Sequence, residues 1–501
     1  MEPLPPEHDP RAGSNAHEDR ETVTHSETIR ARGRRDLHPI ERAVRWLLAA
    51  LDRNDVPSVV LRGDRELPFL PEEGDLDLAV APRHRARFER MLARAMQRYG
   101  VRLVAQHTSG ALTQYQLHAV DGQRRHRHLC IDVHTAETCF GVPFLTAHDL
   151  LQGRTRRRGH ARPDAVVSAF VDFAGPFLSG GAVREDYMSR LATVVEQRPA
   201  QARALLGRVF GTQMANELAD GLRAASRGRL FRAAKRARRA LLWRAFAARP
   251  VRSLRHVLAF GYAARVRPLF APRGKVIAII GTDGAGKTTL IDALRRALAP
   301  AFRASEGGVV KLRPGLLPQL DRLVHGRATY GASECRVPHR ARPSGAFGST
   351  LRAAWYAADY ALGWPLRILP RRRRNALILF DRYVDDWLVD PERFRMRPGL
   401  ATVRWLARLA PRPDATLVCT ASLRTVRARK RELEARETLR QLEAYEALAR
   451  SRPDLHLVST DAGVEHALDL ALCAIFGAPP PDASKSEAAP DPVNGQHRQA
   501  A

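Results

Sequence analysis

The chain has 501 residues, 45% of them apolar, with 82 Lys and Arg against 53 Asp and Glu for a formal net charge of +29. That length exceeds one ordinary core and predicts two or three domains, and the charge favours anionic partners such as nucleic acid, acidic lipid or phosphorylated metabolites. Five widely spaced cysteines (Cys130, Cys139, Cys335, Cys419, Cys473) with no C-x-x-C pair argue against a disulfide framework or zinc ribbon and predict a cytoplasmic setting.

In chain order, residues 1–36 are polar, lack apolar periodicity and carry no apolar signal core, so disorder is expected there. Residues 38–200 open with an amphipathic helix, IERAVRWLLAALD, followed by the strand-like runs SVVLR, DLDLAV, TQYQLHAV and HLCIDVH, and predict an α+β domain. Residues 201–272 form a basic helical connector. From Gly221 to Thr282 there is no Asp or Glu but sixteen Lys and Arg. Residues 273–477 alternate the runs VIAII, GVVKL, ALILF, ATLVCT and LHLVST with helical stretches, which predicts an α/β parallel sheet covered on both faces. The Pro/Ala/Asp-rich residues 478–501 are expected to be a disordered tail. No window approaches the run of about eighteen apolar residues that a membrane span requires, so a soluble or at most peripheral protein is expected.

The strongest chemical signal is GTDGAGKTTL, which follows VIAII directly. Gly281, four residues, then Gly286, Lys287 and Thr288 is the phosphate-loop spacing G-x-x-x-x-G-K-[ST], in its required place between a buried strand and a helix. Glycines let consecutive backbone N–H groups turn inward on phosphate oxygens. The lysine adds charge on the terminal phosphates, and the threonine hydroxyl helps hold Mg²⁺. Lys287 is one of only six lysines in an arginine-rich chain. Gly281, Thr282, Gly284, Ala285, Gly286, Lys287, Thr288 and Thr289 are therefore the expected ATP-binding residues.

The second signal is ALILFDRYVDD, an apolar strand that ends in Asp381-Arg382. A carboxylate there can hold Mg²⁺ with Thr288, and the arginine can grip an acceptor phosphate bidentately. Together GTDGAGKTT and DRY resemble the thymidylate kinase family, over about residues 273–475. The resemblance implies a P-loop, nucleoside-monophosphate-kinase-like fold with a phosphate-acceptor site and a mobile lid. It implies that Asp283 contacts the acceptor's sugar hydroxyl and Arg382 its phosphate. LRPG, with Arg313, looks like a shortened R-E-P-G turn. SLRTVRARKRELEARETLRQLEAYEALA is similar to the family's lid helix and the tyrosine-bearing helix after it, with Arg427 and Lys430 as candidates to neutralise the transferring phosphoryl group and Arg424 a turn earlier. The sequence departs from the family after DRY, where VDDWLVDPERFRM replaces the Ala-Tyr-Gln segment that packs on the base. A small-molecule acceptor other than thymidylate is expected, of nucleotide or sugar type. The resemblance, taken with the two-part organisation, implies a setting in cell-surface polysaccharide synthesis.

In the first block Asp75 and Asp77 alternate on a short strand, so both carboxylates share a face. HRHLCIDVH likewise sets His126, His128, Cys130, Asp132 and His134 on one face, and Asp132 would complete a three-carboxylate Mg²⁺ set. This resembles the polymerase-beta type of nucleotidyltransferase, with an h-G-[GS] turn, D-h-D and then h-[DE]-h. Asp64 stands where that family has Ser or Gly after Gly63, an unfavourable neighbour for a triphosphate, and no nucleotidyl transfer is expected. A zinc site from His126, His128 and His134 or Cys130 is a rival; ordinary residues of a half-exposed strand are the simpler account.

In the connector, Leu230, Ala234, Ala237, Leu241, Ala245 and Ala248 follow helical spacing. They predict a helix packed between domains by this stripe. The alternative is a helix lying on an anionic membrane surface with Trp243 and Phe246 near the interface, on the inner face of the membrane. Nucleic acid ranks third as a partner, for want of a recognised reading module. An ATP- and Mg²⁺-dependent phosphotransferase is the function expected. The alternatives are an ATP-dependent switch or scaffold and a bifunctional kinase and nucleotidyltransferase.

Overall fold

The computed structural model describes residues 37–62, 67, 70, 75–157, 160–180, 183–270, 274–302, 308–318, 344–430 and 433–477. The expectations of disorder at both ends, the Gly63-Asp64 turn and Cys335 lie outside these residues.

Two five-stranded sheets organise the chain. The first holds β1 (Ser58–Arg62), β2 (Asp75–Val80), β3 (Arg102–Ser109), β4 (Leu112–Val120) and β5 (His126–His134) in the order β1-β2-β5-β4-β3. Only the β2/β5 pair is parallel, which sets Asp77 opposite Asp132 and Asp75 opposite Cys130. One face buries Leu76, Leu78, Ile131 and Val133 against the helices Pro39–Arg53 and Arg85–Tyr99. The first of these helices is closed by a capping box from His38 and Glu41. The hairpins β6/β7 (Ala136–Cys139, Val142–Thr146) and β8/β9 (Thr155–Arg157, His160–Arg162) follow.

A second core joins Val59, Leu61 and Ala79 to the helices between Ala165 and Ala248. It buries Leu230, Ala233, Ala234, Ala237 and Leu241 of the helix Arg227–Ala248, so most of the stripe read from the sequence packs inward. Ala245 is half-buried and Ala248 exposed, where the helix leaves this core. The core runs on from Val59 to Leu241, across the compositional break at residue 200. The helix Pro250–Gly261 comes next, then a π-turn Tyr262–Val266 and a short helix Arg267–Phe270. No helix among the described residues is long and apolar enough to cross a membrane.

The second sheet is entirely parallel. It holds β10 (Lys275–Gly281), β11 (Gly308–Lys311), β12 (Leu377–Asp381), β13 (Ala415–Thr420) and β14 (Leu455–Ser459) in the order β11-β12-β10-β13-β14. The five apolar runs picked out in the sequence are its five strands. Successive residues of β10 point to opposite faces: Val276, Ala278 and Ile280 enter a core with Tyr360, Trp387 and Tyr445. Ile277 and Ile279 enter another with Leu290, Leu294, Leu468 and Leu472. Both faces are covered, as expected for a parallel sheet whose crossovers are helical. β10 lies between β12 and β13, so the chain leaves it toward one side and later returns on the other. Such a switch point opens a crevice at the carboxyl ends of the strands.

The two sheet units touch along β3 and β5. His128 Nε2 meets the Ala297 carbonyl, and Val104 enters the core beside Leu298. Arg102 contacts the Cys473 sulfur at 3.1 Å, and His126 faces Glu465 at 3.7 Å.

Candidate active site

At the carboxyl end of β10 the backbone turns through Gly281-Thr-Asp-Gly-Ala-Gly into the helix Lys287–Leu298. Gly281 adopts φ +138°, and a Cβ there would run into the Cys419 carbonyl of β13. Gly284 adopts φ +86°, with the Val426 carbonyl 2.9 Å from where its Cβ would stand. Only glycine meets both demands, conformation and space. The loop is thus wedged between β13 and the helix Leu423–Arg429.

Lys287 folds back over this turn. Its Nζ donates to the Gly281 carbonyl at 2.9 Å and to the Thr282 carbonyl at 2.7 Å, and lies 3.5 Å from Asp283 Oδ1. Burial, reinforced by the charge of Arg382, pushes its ammonium down to about 8. The Thr282 hydroxyl is buried with no hydrogen-bond partner. Thr288 and Thr289 are exposed in the first helical turn.

Asp283 is the centre of the cluster. Arg382 Nη2 and Arg393 Nη1 donate to its two oxygens, and Lys287 stands beside them. Burial pushes the Asp283 carboxyl up, but Arg382, Lys287 and Arg393 outweigh it and hold it below the usual carboxylate range. Arg382 reaches this position through a left-handed backbone, φ +79°, anchored by its N–H on the Ile279 carbonyl at 2.9 Å. Its Nη1 also donates to Asp386 Oδ2 at 3.4 Å, and Tyr445 Oη donates to Asp386 Oδ1 at 2.5 Å. Asp386 is fully buried, and burial raises its carboxyl despite Arg382. Asp381, half-buried at the end of β12, sits level with Ile279 of β10.

The lid candidates fall differently. In the helix Leu423–Arg429 and its end, Val426 and Lys430 pack against Gly284, and the cation set against Gly286 is Arg429. It lies 3.4 Å from the position of a Gly286 Cβ and donates to the Thr460 hydroxyl and carbonyl at 2.9 Å each. Lys430 packs its stem near Gly284, while Arg427 is half-buried. Arg313 is held in its own turn: it pairs with buried Asp359 at 3.0 Å, which also accepts the Gly315 and Leu317 N–H groups.

The sequence did not single out Arg393, Asp386 or Arg429. Arg393 lies in PERFRM, a segment noted only for departing from the family, and its 3-10 turn Glu392–Phe394 aims it at Asp283.

On the first sheet, Asp77 is buried between cations. Arg62 Nη1 reaches its Oδ2 at 3.2 Å, and His134 Nε2 lies 3.8 Å from its Oδ1. Arg62 is held in turn by Asp172 at 3.1 Å and His134 by Glu137 at 3.1 Å. Burial opposes the charge on His134, but Asp77 and Glu137 push it up to about 10. Asp132 accepts from Gln114 Nε2 at 3.1 Å and 3.2 Å. Among the described residues the donor atoms that converge within 4.8 Å belong to Asp77, Asp132 and His134, without Asp75. Asp75 lies exposed at the start of β2. His126 and His128 are drawn instead into a stack with His118 against the second sheet unit, ring centroids 5.4 Å and 4.7 Å away. They stand at the far end of β5 from His134.

No protein-family model and no curated protein matches this sequence. Among solved structures the chain is similar to a thymidylate kinase from Candida albicans, at 17% identity over 39% of this chain and 88% of that one, with a TM-score of 0.29. It is also similar to a thymidylate kinase from Ehrlichia chaffeensis, at 16% identity over 38% of this chain and 89% of that one, with a TM-score of 0.26. At these values the chemistry of the site rests on its own geometry.

Proposed function

We propose that residues 273–477 are an ATP-dependent P-loop phosphotransferase that moves the γ-phosphoryl group to a small acceptor bearing a phosphate of its own. The observation that carries this is the convergence of Arg382 and Arg393 on the two oxygens of Asp283, beside the phosphate-loop lysine. Both guanidiniums reach one small volume beyond the carboxyl ends of β10 and β12. Two such forks suit an acceptor phosphate, gripped by charge-assisted hydrogen bonds. A loop that only bound and hydrolysed ATP would not need them.

In this reading the N–H groups of Gly281 to Thr289 cradle the ATP phosphates, and Lys287 swings from its loop carbonyls onto the terminal phosphates. Asp283 is released from its arginines when the acceptor enters and takes the acceptor's hydroxyl. Thr288 and Asp381 are the residues that would hold Mg²⁺: both sit at the crevice, and neither side chain is tied up in an ion pair among the described residues. Bound there, Mg²⁺ supplies charge neutralisation on the phosphate oxygens. The helix Leu423–Arg429 and its end supply cationic charge from Arg427, Arg429 and Lys430.

The acceptor is a nucleotide or sugar-type phosphate other than thymidylate, since VDDWLVDPERFRM fills the place of the base-packing segment. The two-part organisation suggests a setting in cell-surface polysaccharide synthesis. The test is transfer of label from γ-labelled ATP across nucleoside monophosphates, sugars and sugar phosphates. Transfer that needs Arg382 and Arg393 supports the assignment; label released only to water contradicts it.

A further inference from the structure

We propose that the helix Pro250–Gly261 and its continuation to Phe270 form a docking face for an anionic lipid surface. Val251, Leu254, Leu258 and Tyr262 are 82%, 51%, 63% and 56% exposed. At about 100° per residue their 3-4-4 spacing keeps them within an arc of about 80°. Beyond the π-turn, Leu269 and Phe270 are exposed as well, Phe270 to 81%.

This helix is not waiting for the core, because its other side is already fixed. Ser253 Oγ donates to the Ala245 carbonyl at 2.9 Å, and the Phe260 ring meets Phe140 edge-on at 6.3 Å. Beyond the π-turn, Arg267 Nη1 donates to the Thr108 carbonyl at 2.7 Å. The apolar stripe is therefore presented outward by a helix held on both sides of the π-turn.

Charge selects the occupant. Exposed Arg252 and Arg255 run along one side of the stripe and exposed Arg249 and Arg265 stand at its two ends, inside the stretch from Gly221 to Thr282 that has no Asp or Glu. Arg252 and Arg255 also line an open groove of about 1210 Å³ against the first sheet unit, together with Arg83, Arg154, His148 and His256 and no carboxylate. A second copy seated on this face would set the same arginines against one another without an acid to meet them. An apolar stripe flanked by arginines is the pattern of a helix lying in the headgroup layer of an anionic bilayer. The helix Arg227–Ala248, richer in charge, offers no comparable stripe: Leu230 to Leu241 are buried on one side, its exposed Phe231 and Trp243 stand about three turns apart, and Arg236 is spent on Glu217.

The experiment is co-sedimentation of the full chain with vesicles of phosphatidylcholine alone or mixed with phosphatidylglycerol. The protein should pellet with the anionic vesicles only, and salt should weaken the attachment by shortening the screening length. Leu254→Ser with Leu258→Ser, and separately Arg252→Gln with Arg255→Gln, should each lower the bound fraction by about tenfold or more without moving the melting temperature, since all four side chains are exposed. Pelleting with neither vesicle, equal pelleting with both, or unchanged binding by the leucine variant would overturn the proposal. So would a dimer in light scattering that the leucine variant dissolves while no lipid is bound.

Discussion

Asp283 in the phosphate loop and Arg382 at the end of β12 stand 99 residues apart in sequence and form a half-buried ion pair at the carboxyl ends of the parallel strands. Arg393 completes the clasp from the other oxygen. Arg393→Ala should raise the acceptor's KM and lower kcat, together reducing kcat/KM by about tenfold to a hundredfold, with ATP affinity nearly unchanged, because a charge-assisted hydrogen bond is worth about 1.5–3 kcal/mol. Arg382→Ala should act in the same direction. Steady-state kinetics with separate ATP titrations distinguish the cases. A fall in ATP affinity would move the arginines to the nucleotide side.

Lys287 carries the pH dependence. Burial and the neighbouring Arg382 push its ammonium down to about 8 from the ordinary 10.5. ATP needs the charged form, so ATP affinity should hold steady below pH 8 and fall by about tenfold per pH unit above it. The sign for stability is opposite: burying the charged form costs free energy below pH 8, and that cost is relieved as pH rises toward 10.5. Calorimetric titration against pH tests this, and Lys287→Met should flatten the profile. Lys287→Ala should abolish most turnover in a protein that still melts cooperatively.

Tyr445→Phe removes a buried donor from Asp386 and leaves that carboxylate with Arg382. It should cost about 1.5–3 kcal/mol in denaturant unfolding. The acceptor's KM should rise by a few fold, because Asp386 positions Arg382. An unchanged unfolding midpoint would show that Tyr445 contributes no net hydrogen bond.

The first sheet should not support divalent-dependent nucleotidyl transfer, with Asp77 held by Arg62 and His134. Asp77→Asn should destabilise the protein by about 3 kcal/mol, the low end for a broken buried pair, because Asp172 and Glu137 keep partners for both cations. His134 titrates near 10 in the fold, above its ordinary 6.5. Its stabilising contribution is complete below pH 6.5 and is lost as pH rises through 10, and Asp77→Asn should flatten that loss in melts measured across the range.

The parallel sheet was legible because its central strands β10, β12 and β13 are apolar runs buried on both faces, with shorter and more exposed apolar runs at the edges, and the phosphate loop because its spacing is set by backbone demands at Gly281 and Gly284. Asp381 and Arg382 were legible from their place at a strand end. Arg393 was not, since nothing local distinguishes it from the other arginines of PERFRMR; only the turn at Glu392–Phe394 gives it direction. Arg429, set against Gly286, was not legible either, because charge spacing alone does not reveal how the short helix Leu423–Arg429 rotates about its buried Val426. The alternation of HRHLCIDVH placed its histidines on one face, but not the second sheet unit that occupies half of that face. The connector's charge did not reveal which of its helices lays an apolar stripe on the surface, because burial of Leu230 to Leu241 is decided by tertiary packing and not by composition, while Trp243 of the same helix stays exposed.

The most direct measurement is transfer of labelled γ-phosphate from ATP to a panel of phosphorylated and unphosphorylated acceptors, run beside Lys287→Ala, Arg393→Ala and thymidylate. The account predicts label on a phosphate-bearing acceptor other than thymidylate, abolished by Lys287→Ala and reduced by about tenfold or more in Arg393→Ala. Efficient conversion of thymidylate, or label passing only to water with Arg393→Ala as active as the unmodified chain, would contradict it.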